Sequence, residues 1–204
     1  SRMIRGWSRQ FEKAGRGAIP MAAGLGAGLA VTTRAFMEQE DAVTQLKNTL
    51  MTSDGLTPGF EQLSKIATDL GNKLPGNTAD FAAMASQLKA LGVDTDTLIG
   101  GALEAAANLA VVGKPLGVTY DQAAESVGKL SNAFGIAAQD LVPFADTVQR
   151  ALHLGIDLTQ LQYAMARVSG PLKAMGMEGL QVASDMVPLV SMLVQAGVSG
   201  EDAG

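Results

Sequence analysis

The chain contains no cysteine. Disulfides and thiolate metal sites are therefore excluded, and cysteine usage says nothing about the redox compartment. It contains one histidine, His153, so a histidine zinc site or a Ser-His-Asp triad would have to be supplied by that residue alone. His153 lies at the end of a helical run just before Gly155, where a cation complements the helix dipole, and we read it as structural. Aromatic residues make up only 4% of the chain. A β-sandwich wants aromatic and β-branched faces, so this scarcity favours close-packed helices. A run long enough to cross a membrane is also missing. The uncharged stretch 17–33, "GAIPMAAGLGAGLAVTT", is short and weakly apolar for a spanning helix. It superficially resembles a secretory signal, but sixteen residues of amphipathic, helix-like sequence precede it. The first residue is Ser1 rather than Met, and we expect the chain to be a piece of a longer polypeptide.

The 204 residues suffice for one or two compact domains. Alanine, leucine, methionine and glycine fill the space that aromatics leave. The net charge of −5 is uneven. Residues 1–16 hold Arg2, Arg5, Arg9, Lys13 and Arg16 against Glu12, a balance of +4; the rest holds 10 basic and 19 acidic groups, a balance of −9. An acidic body argues against a nucleic-acid-coating surface, and no sequence-specific nucleic-acid binding is expected.

Glycines punctuate the apolar runs at a regular interval. Gly71, Gly92, Gly113, Gly135, Gly155, Gly176 and Gly197 are spaced by 21, 21, 22, 20, 21 and 21 residues, the signature of a repeat. We read each as a helix-breaking C-cap glycine. The following residue is apolar at Val93, Ile136, Ile156, Met177 and Val198, and the position four before the glycine is apolar at Leu88, Leu172 and Leu193, as a Schellman cap requires. Helix starts follow: Thr119 with Gln122 as a capping box, Asp157 with Gln160 and Ser199 with Asp202 similarly, then Asn77, Thr78 and Asp94 as caps, and Thr57 before Pro58. The start at Gly135-Ile136-Ala137 lacks a capping side chain and is expected to be weak.

Between these marks apolar residues recur at three and four: Leu63, Ile66, Ala67, Leu70; Phe81, Met84, Leu88, Leu91; Leu141, Phe144, Val148, Leu152. The fold class is all-α: an array of short antiparallel helical hairpins with units of about 21 residues, preceded by a longer N-terminal helical segment. Met84, Met165, Met175, Met186 and Met192 are assigned to irregular gaps in the core. Two regions are expected. Residues 1–53 combine a basic amphipathic helix (Ile4, Trp7, Phe11 on one face), the Gly/Ala-rich apolar run and a long helix. Residues 54–204 form the repeat core, expected to be truncated at its C-terminal end. The loop "SDGLTPG" marks the boundary.

No catalytic chemistry is legible. "GLGAG" at 24–28 lacks the preceding strand and the spacing of a dinucleotide loop. The acidic groups Glu38/Glu40/Asp41, Asp94/Asp96 and Glu201/Asp202 sit at helix starts or on polar faces, where capping and solvation explain them. No enzyme activity, metal or cofactor is expected.

From about Gly15 onward the chain resembles phage tail tape measure proteins. The resemblance is carried, in order, by "RAFMEQEDAVTQLKNTL" after the small-residue run, by "FEQLSKIATDLGNKLPGNTADFAAMASQLKALGVDTDTLIGGALEAAANLA", by "YDQAAESVGKLSNAFGIAAQDLVPFADTVQRA" and by "PLKAMGMEGLQVASDMVPLVSMLVQAGVSGEDAG". "NKLPGN" and the weak starts at Ala137 and Glu178 depart from the pattern. The resemblance implies a structural and assembly protein in the tail tube lumen or baseplate of a virion, or the equivalent tape of a phage-tail-like bacteriocin. Such a protein sets tail length and is released during genome ejection. Implied partners are the tail tube protein, tail assembly chaperones, baseplate or hub proteins and other tape copies, with the host membrane as a further one and the host cytoplasm as the place of assembly. Two other readings stand beside it: a soluble α-helical repeat module that binds protein, and a membrane-active segment centred on Ile19, Met21, Leu25, Leu29 and Val31.

Overall fold

The computed structural model describes residues 37–52, 55–56 and 59–198. The basic helix, the candidate segment Ile19, Met21, Leu25, Leu29 and Val31, the Thr57-Pro58 start, the Ser199/Asp202 start and Glu201 lie outside the described residues. Contacts divide the chain into units 1–40 and 41–204. Residues 37–40 of the first are helical. The division falls before the expected boundary at 53/54, because Ala42, Leu46 and Leu50 are buried in the same core as the repeat array. That boundary coincides instead with a minimal hairpin, β1 (Met51–Thr52) antiparallel to β2 (Gly55–Leu56).

The second unit is otherwise helical and all-α in class. Helix α1 covers 41–49 of this unit. It is followed by α2 (Gly59–Lys73), α3 (Thr78–Ala90), α4 (Leu103–Gly113), α5 (Tyr120–Phe134), α6 (Leu141–His153), α7 (Leu158–Ala174) and α8 (Leu180–Gln195). Helices α2, α4, α6 and α8 form one row and α3, α5 and α7 the other. Each row neighbour is therefore two helices away in sequence, and the array is folded locally. Short helices are marginal alone and gain their stability from such stacking. The apolar faces meet inside: Leu63, Phe81, Met84, Leu88, Leu130, Phe134, Leu141, Phe144, Val148 and Leu152 are all nearly inaccessible. Burial of one such leucine or phenylalanine stabilises by roughly 1.5–3 kcal/mol.

Five of the periodic glycines take the left-handed conformation: Gly92, Gly135, Gly155, Gly176 and Gly197, with φ of 88°, 60°, 84°, 74° and 87°. After each, the next residue donates its N–H to the carbonyl five positions back: Val93 to Leu88, Ile136 to Ser131, Ile156 to Ala151, Met177 to Leu172 and Val198 to Leu193. These are the bonds of a Schellman cap, which satisfy carbonyls that a helix end leaves orphaned.

Gly71 and Gly113 differ. Gly71 lies inside α2. A Cβ there would sit 2.8 Å from the Thr78 backbone nitrogen, so this glycine permits close approach of α3. The break comes at Pro75 and Gly76, since proline cannot continue the hydrogen-bond ladder. Gly113 is still helical (φ −78°) and touches Val118 where a Cβ would be; Pro115 and the left-handed Gly117 end that unit. A glycine spaced like a cap can thus serve contact instead.

Helix starts follow side-chain chemistry. Asn77/Asp80 and Thr119/Gln122 form reciprocal capping boxes, with Thr78 as the first helical residue. Asp157 accepts from the Gln160 N–H at 2.9 Å. Ala137 has no capping bond, and a 3₁₀ turn at Ala138–Asp140 precedes α6. The unit between Gly92 and Gly113 is not one straight helix. A short turn (Thr95–Thr97) enters a π-helical stretch (Leu98–Ala102) in which Gly101 has φ 150°. A Cβ on Gly101 would lie 2.7 Å from the Ala138 carbonyl oxygen. Only glycine combines that backbone angle with that approach.

Candidate functional site

Among the described residues, the candidate catalytic side chains do not converge. The His153 Nδ1 lies 2.9 Å from the Gln149 carbonyl on its own helix, and the residue is exposed. Glu38, Glu40 and Asp41 are exposed, as are Asp94 and Asp96. Asp94 is a cap: its carboxylate accepts from the Thr97 hydroxyl at 2.6 Å and from the Thr97 N–H at 2.8 Å. Those two bonds favour the ionised form and hold the carboxyl below its ordinary value. Among the described residues, no cluster of His, Asp or Glu could hold a metal ion, and no helix is long and apolar enough to cross a membrane.

What the structure does assemble is a set of bonds between corners. The Tyr120 hydroxyl donates to the Pro75 carbonyl at 2.6 Å, and Asn132 Nδ2 to the Leu91 carbonyl at 3.3 Å. The Gly179 N–H donates to the Phe134 carbonyl at 2.6 Å, and Gln195 Nε2 to the Leu154 carbonyl at 3.1 Å. In each case a carbonyl at or just beyond a helix C-terminus accepts from a donor 41 or 45 residues later, one hairpin along the array. Tyr120 also stacks edge-on against Phe81, with ring centroids 5.7 Å apart. Burial, with the Asp80 charge as a smaller cause, pushes its phenol above the ordinary tyrosine value. Sequence reasoning missed these donors. The available signal was a polar or aromatic residue one hairpin after three of the breaks: Tyr120, Asn132 and Gln195.

The second assembled feature is an apolar surface at α8. Ala183, Val187 and Val190 face the core, while Leu189, Met192 and Leu193 face outward. Next to them, α6 and α8 enclose a groove of about 290 Å³ lined by Arg150, Ala151, Leu154, Val187, Pro188 and Ser191, among others. Ser191 is buried and its hydroxyl has no hydrogen-bond partner. Leu154 is 68% exposed at the rim. Of the methionines assigned to core gaps, Met84 and Met165 are buried and Met186 packs against the core. Met175 and Met192 are exposed instead (65% and 58%). The end of α7 and the outer face of α8 have no helix over them among the described residues, so spacing alone could not place these side chains inside.

The array and its α8 surface fall within the reach of one family model. A model described as phage-related minor tail protein matches residues 64–204, from within α2 through α8 and beyond. The chain belongs to the phage-related minor tail protein family. Its role in a phage tail is accordingly structural. Comparison with curated proteins and with solved structures found no match. For this minor tail protein, the corner bonds join one hairpin to the next, and the outer α8 face is open among the described residues.

Proposed function

We propose that the chain is a segment of a tail tape measure protein, which occupies the tail tube lumen during assembly, sets tail length and leaves with genome ejection. The observation that supports this most is the segmented build. Hairpins repeat and latch to one another at a fixed interval, so the body's length scales with the number of units. Tail tube protein, tail assembly chaperones, baseplate or hub proteins and other tape copies are the partners this reading calls for. The host membrane is proposed only for the segment around Leu25 and Leu29.

The test is tail length by electron microscopy after in-frame deletion of residues 93–135, one hairpin, from the gene. If the segment lies extended in the tube, tails shorten by roughly 60 Å, at about 1.5 Å per residue. If the array stays folded and acts as ruler, they shorten by about 10 Å, one interaxial spacing. Tails of unchanged length would sink the ruler reading. They would favour a helical-repeat module that binds protein through the α6–α8 groove.

A further inference from the structure

Helix α7 weakens near its end. Ser169, Gly170 and Pro171 follow one another inside it. The Ser169 hydroxyl donates to the Ala166 carbonyl at 2.7 Å, a side-chain bond that competes with the backbone ladder. Gly170 is exposed, has no positive φ, and a Cβ there would meet nothing within 4 Å. Neither conformation nor contact requires glycine at this place, and glycine lowers helix stability. Pro171 brings no N–H to the ladder, and its ring disfavours the helical region for the residue before it. Beyond this point burial stops. From 170 to 178 no residue is buried, and only Leu172 is partly so. On the near side Leu161, Ala164, Met165 and Ser169 are buried. On the far side the Gly179 N–H holds the Phe134 carbonyl.

The corresponding corner of α5 shows the contrast. Aligning the cap glycines Gly135 and Gly176 sets Lys129 against Gly170, Leu130 against Pro171, Phe134 against Met175 and Ile136 against Met177. Leu130, Phe134 and Ile136 are buried, whereas Met175 and Met177 are 65% and 45% exposed. The end of the described array does not account for this. Val198 follows the last cap glycine, where the described residues stop, and is still partly buried and packed against the core. The cap bonds themselves are alike: Ile136 N–H to the Ser131 carbonyl at 3.0 Å, Ile156 to Ala151 at 3.2 Å and Met177 to Leu172 at 2.9 Å. What differs is the support beneath them. We propose that the last turn of α7 is a releasable elbow: residues 170–178 unwind as a local unit while the turns up to Ser169 stay packed. Stability is not uniform along a fold, and a segment with few buried apolar contacts opens first. Unwound, this segment spans up to roughly 30 Å, so the α7–α8 connection can lengthen without unfolding the rest of α7. The proposal concerns motion within this fold and is independent of the tape-measure reading.

Native-state hydrogen exchange of the 204-residue chain tests it. The amides of Met175, Gly176 and Met177 are all hydrogen-bonded. Their protection factors should nevertheless be at least about tenfold lower than those of Leu154, Gly155 and Ile156 at the end of α6, and of residues 161–165 within α7. Their exchange should also depend little on low concentrations of denaturant, as expected of a local opening. Gly170→Ala combined with Pro171→Ala changes only exposed positions and should raise the protection of the three amides at least about tenfold. Equal protection at the ends of α6 and α7 would overturn the proposal. So would a denaturant dependence matching that of residues 161–165, because the turn would then open only with the whole array. Three amides as fast in the double variant as in the wild type would overturn the role given to Gly170 and Pro171.

Discussion

Helices α4 and α8 are both mainly apolar, with one charged residue each, and end in opposite situations. The charged residue is Glu104 in α4, which is otherwise rich in alanine, and Asp185 in α8, which is rich in leucine, valine and methionine. In α4, Leu103, Ala105, Ala106, Ala107, Leu109 and Ala110 are all buried, so nearly every side of the helix is covered, by α3, α5 and α6. Its alanines let those neighbours come close. In α8 only Ala183, Val187, Val190 and Ser191 are buried, and the opposite side is open. A helix apolar all round has to be covered. Its own residues do not say whether the cover comes from the same fold or from elsewhere.

The sharpest way to break this comparison is to place the same charge in both helices. Ala106→Asp would bury an unpaired carboxylate in α4 and is expected to cost about 4 kcal/mol or more, enough to unfold a marginal domain in chemical denaturation. Leu193→Asp in α8 should change stability of the isolated fold by no more than about 0.5 kcal/mol. Equal losses at both sites would mean that α8 is as enclosed as α4.

The next effect concerns how α4 is reached. Gly101→Ala forces a side chain onto φ 150° and against the Ala138 carbonyl. A loss of about 2–3 kcal/mol is expected in the same assay. A neutral result would show that the kink is not needed to bring the N-terminal turns of this unit onto the Ala138 corner.

A smaller loss, about 1 kcal/mol, is expected for Tyr120→Phe, which removes the corner bond to Pro75 but keeps the ring against Phe81. No change would demote the corner bonds from latches to incidental contacts.

The mildest contrast lies at the helix starts. The entry to α4 is capped by Asp94, whereas the N-cap position of α8 is Gly179, which offers no side chain. Asp94→Ala should cost about 1 kcal/mol at neutral pH. The folded carboxyl is held below its ordinary value, so the unfolded chain binds the proton more readily. The contribution is therefore present above the ordinary aspartate range, near pH 4, and is lost as the pH falls through the folded value. The wild-type and Asp94→Ala stabilities should converge in acid. A gap that persists there would place the effect in packing rather than in the carboxylate.

Local chemistry accounts for what could be read from the residues alone. A Schellman cap involves six consecutive residues and a capping box four, so Gly92, Gly155, Gly176, Asn77, Thr119 and Asp157 announce their roles without help from the fold. The three-and-four spacing likewise marks the buried faces of α2, α3 and α6. Where a residue's role depends on a neighbour far along the chain, the same signals mislead. Gly71 and Gly113 keep the period but serve contacts with Thr78 and Val118. Met192 has the spacing of a core residue and lies on the surface. The donors Tyr120, Asn132 and Gln195 are ordinary polar residues until stacking brings them to carbonyls 41 or 45 positions earlier. The sequence by itself therefore determined the helices, most of their ends and the all-α class, because those are settled within a turn or two of backbone. Only the tertiary structure decided which apolar face is covered, which glycine is a contact and which corners are joined, because burial and hydrogen-bond partnership are properties of pairs that the chain brings together only when it folds.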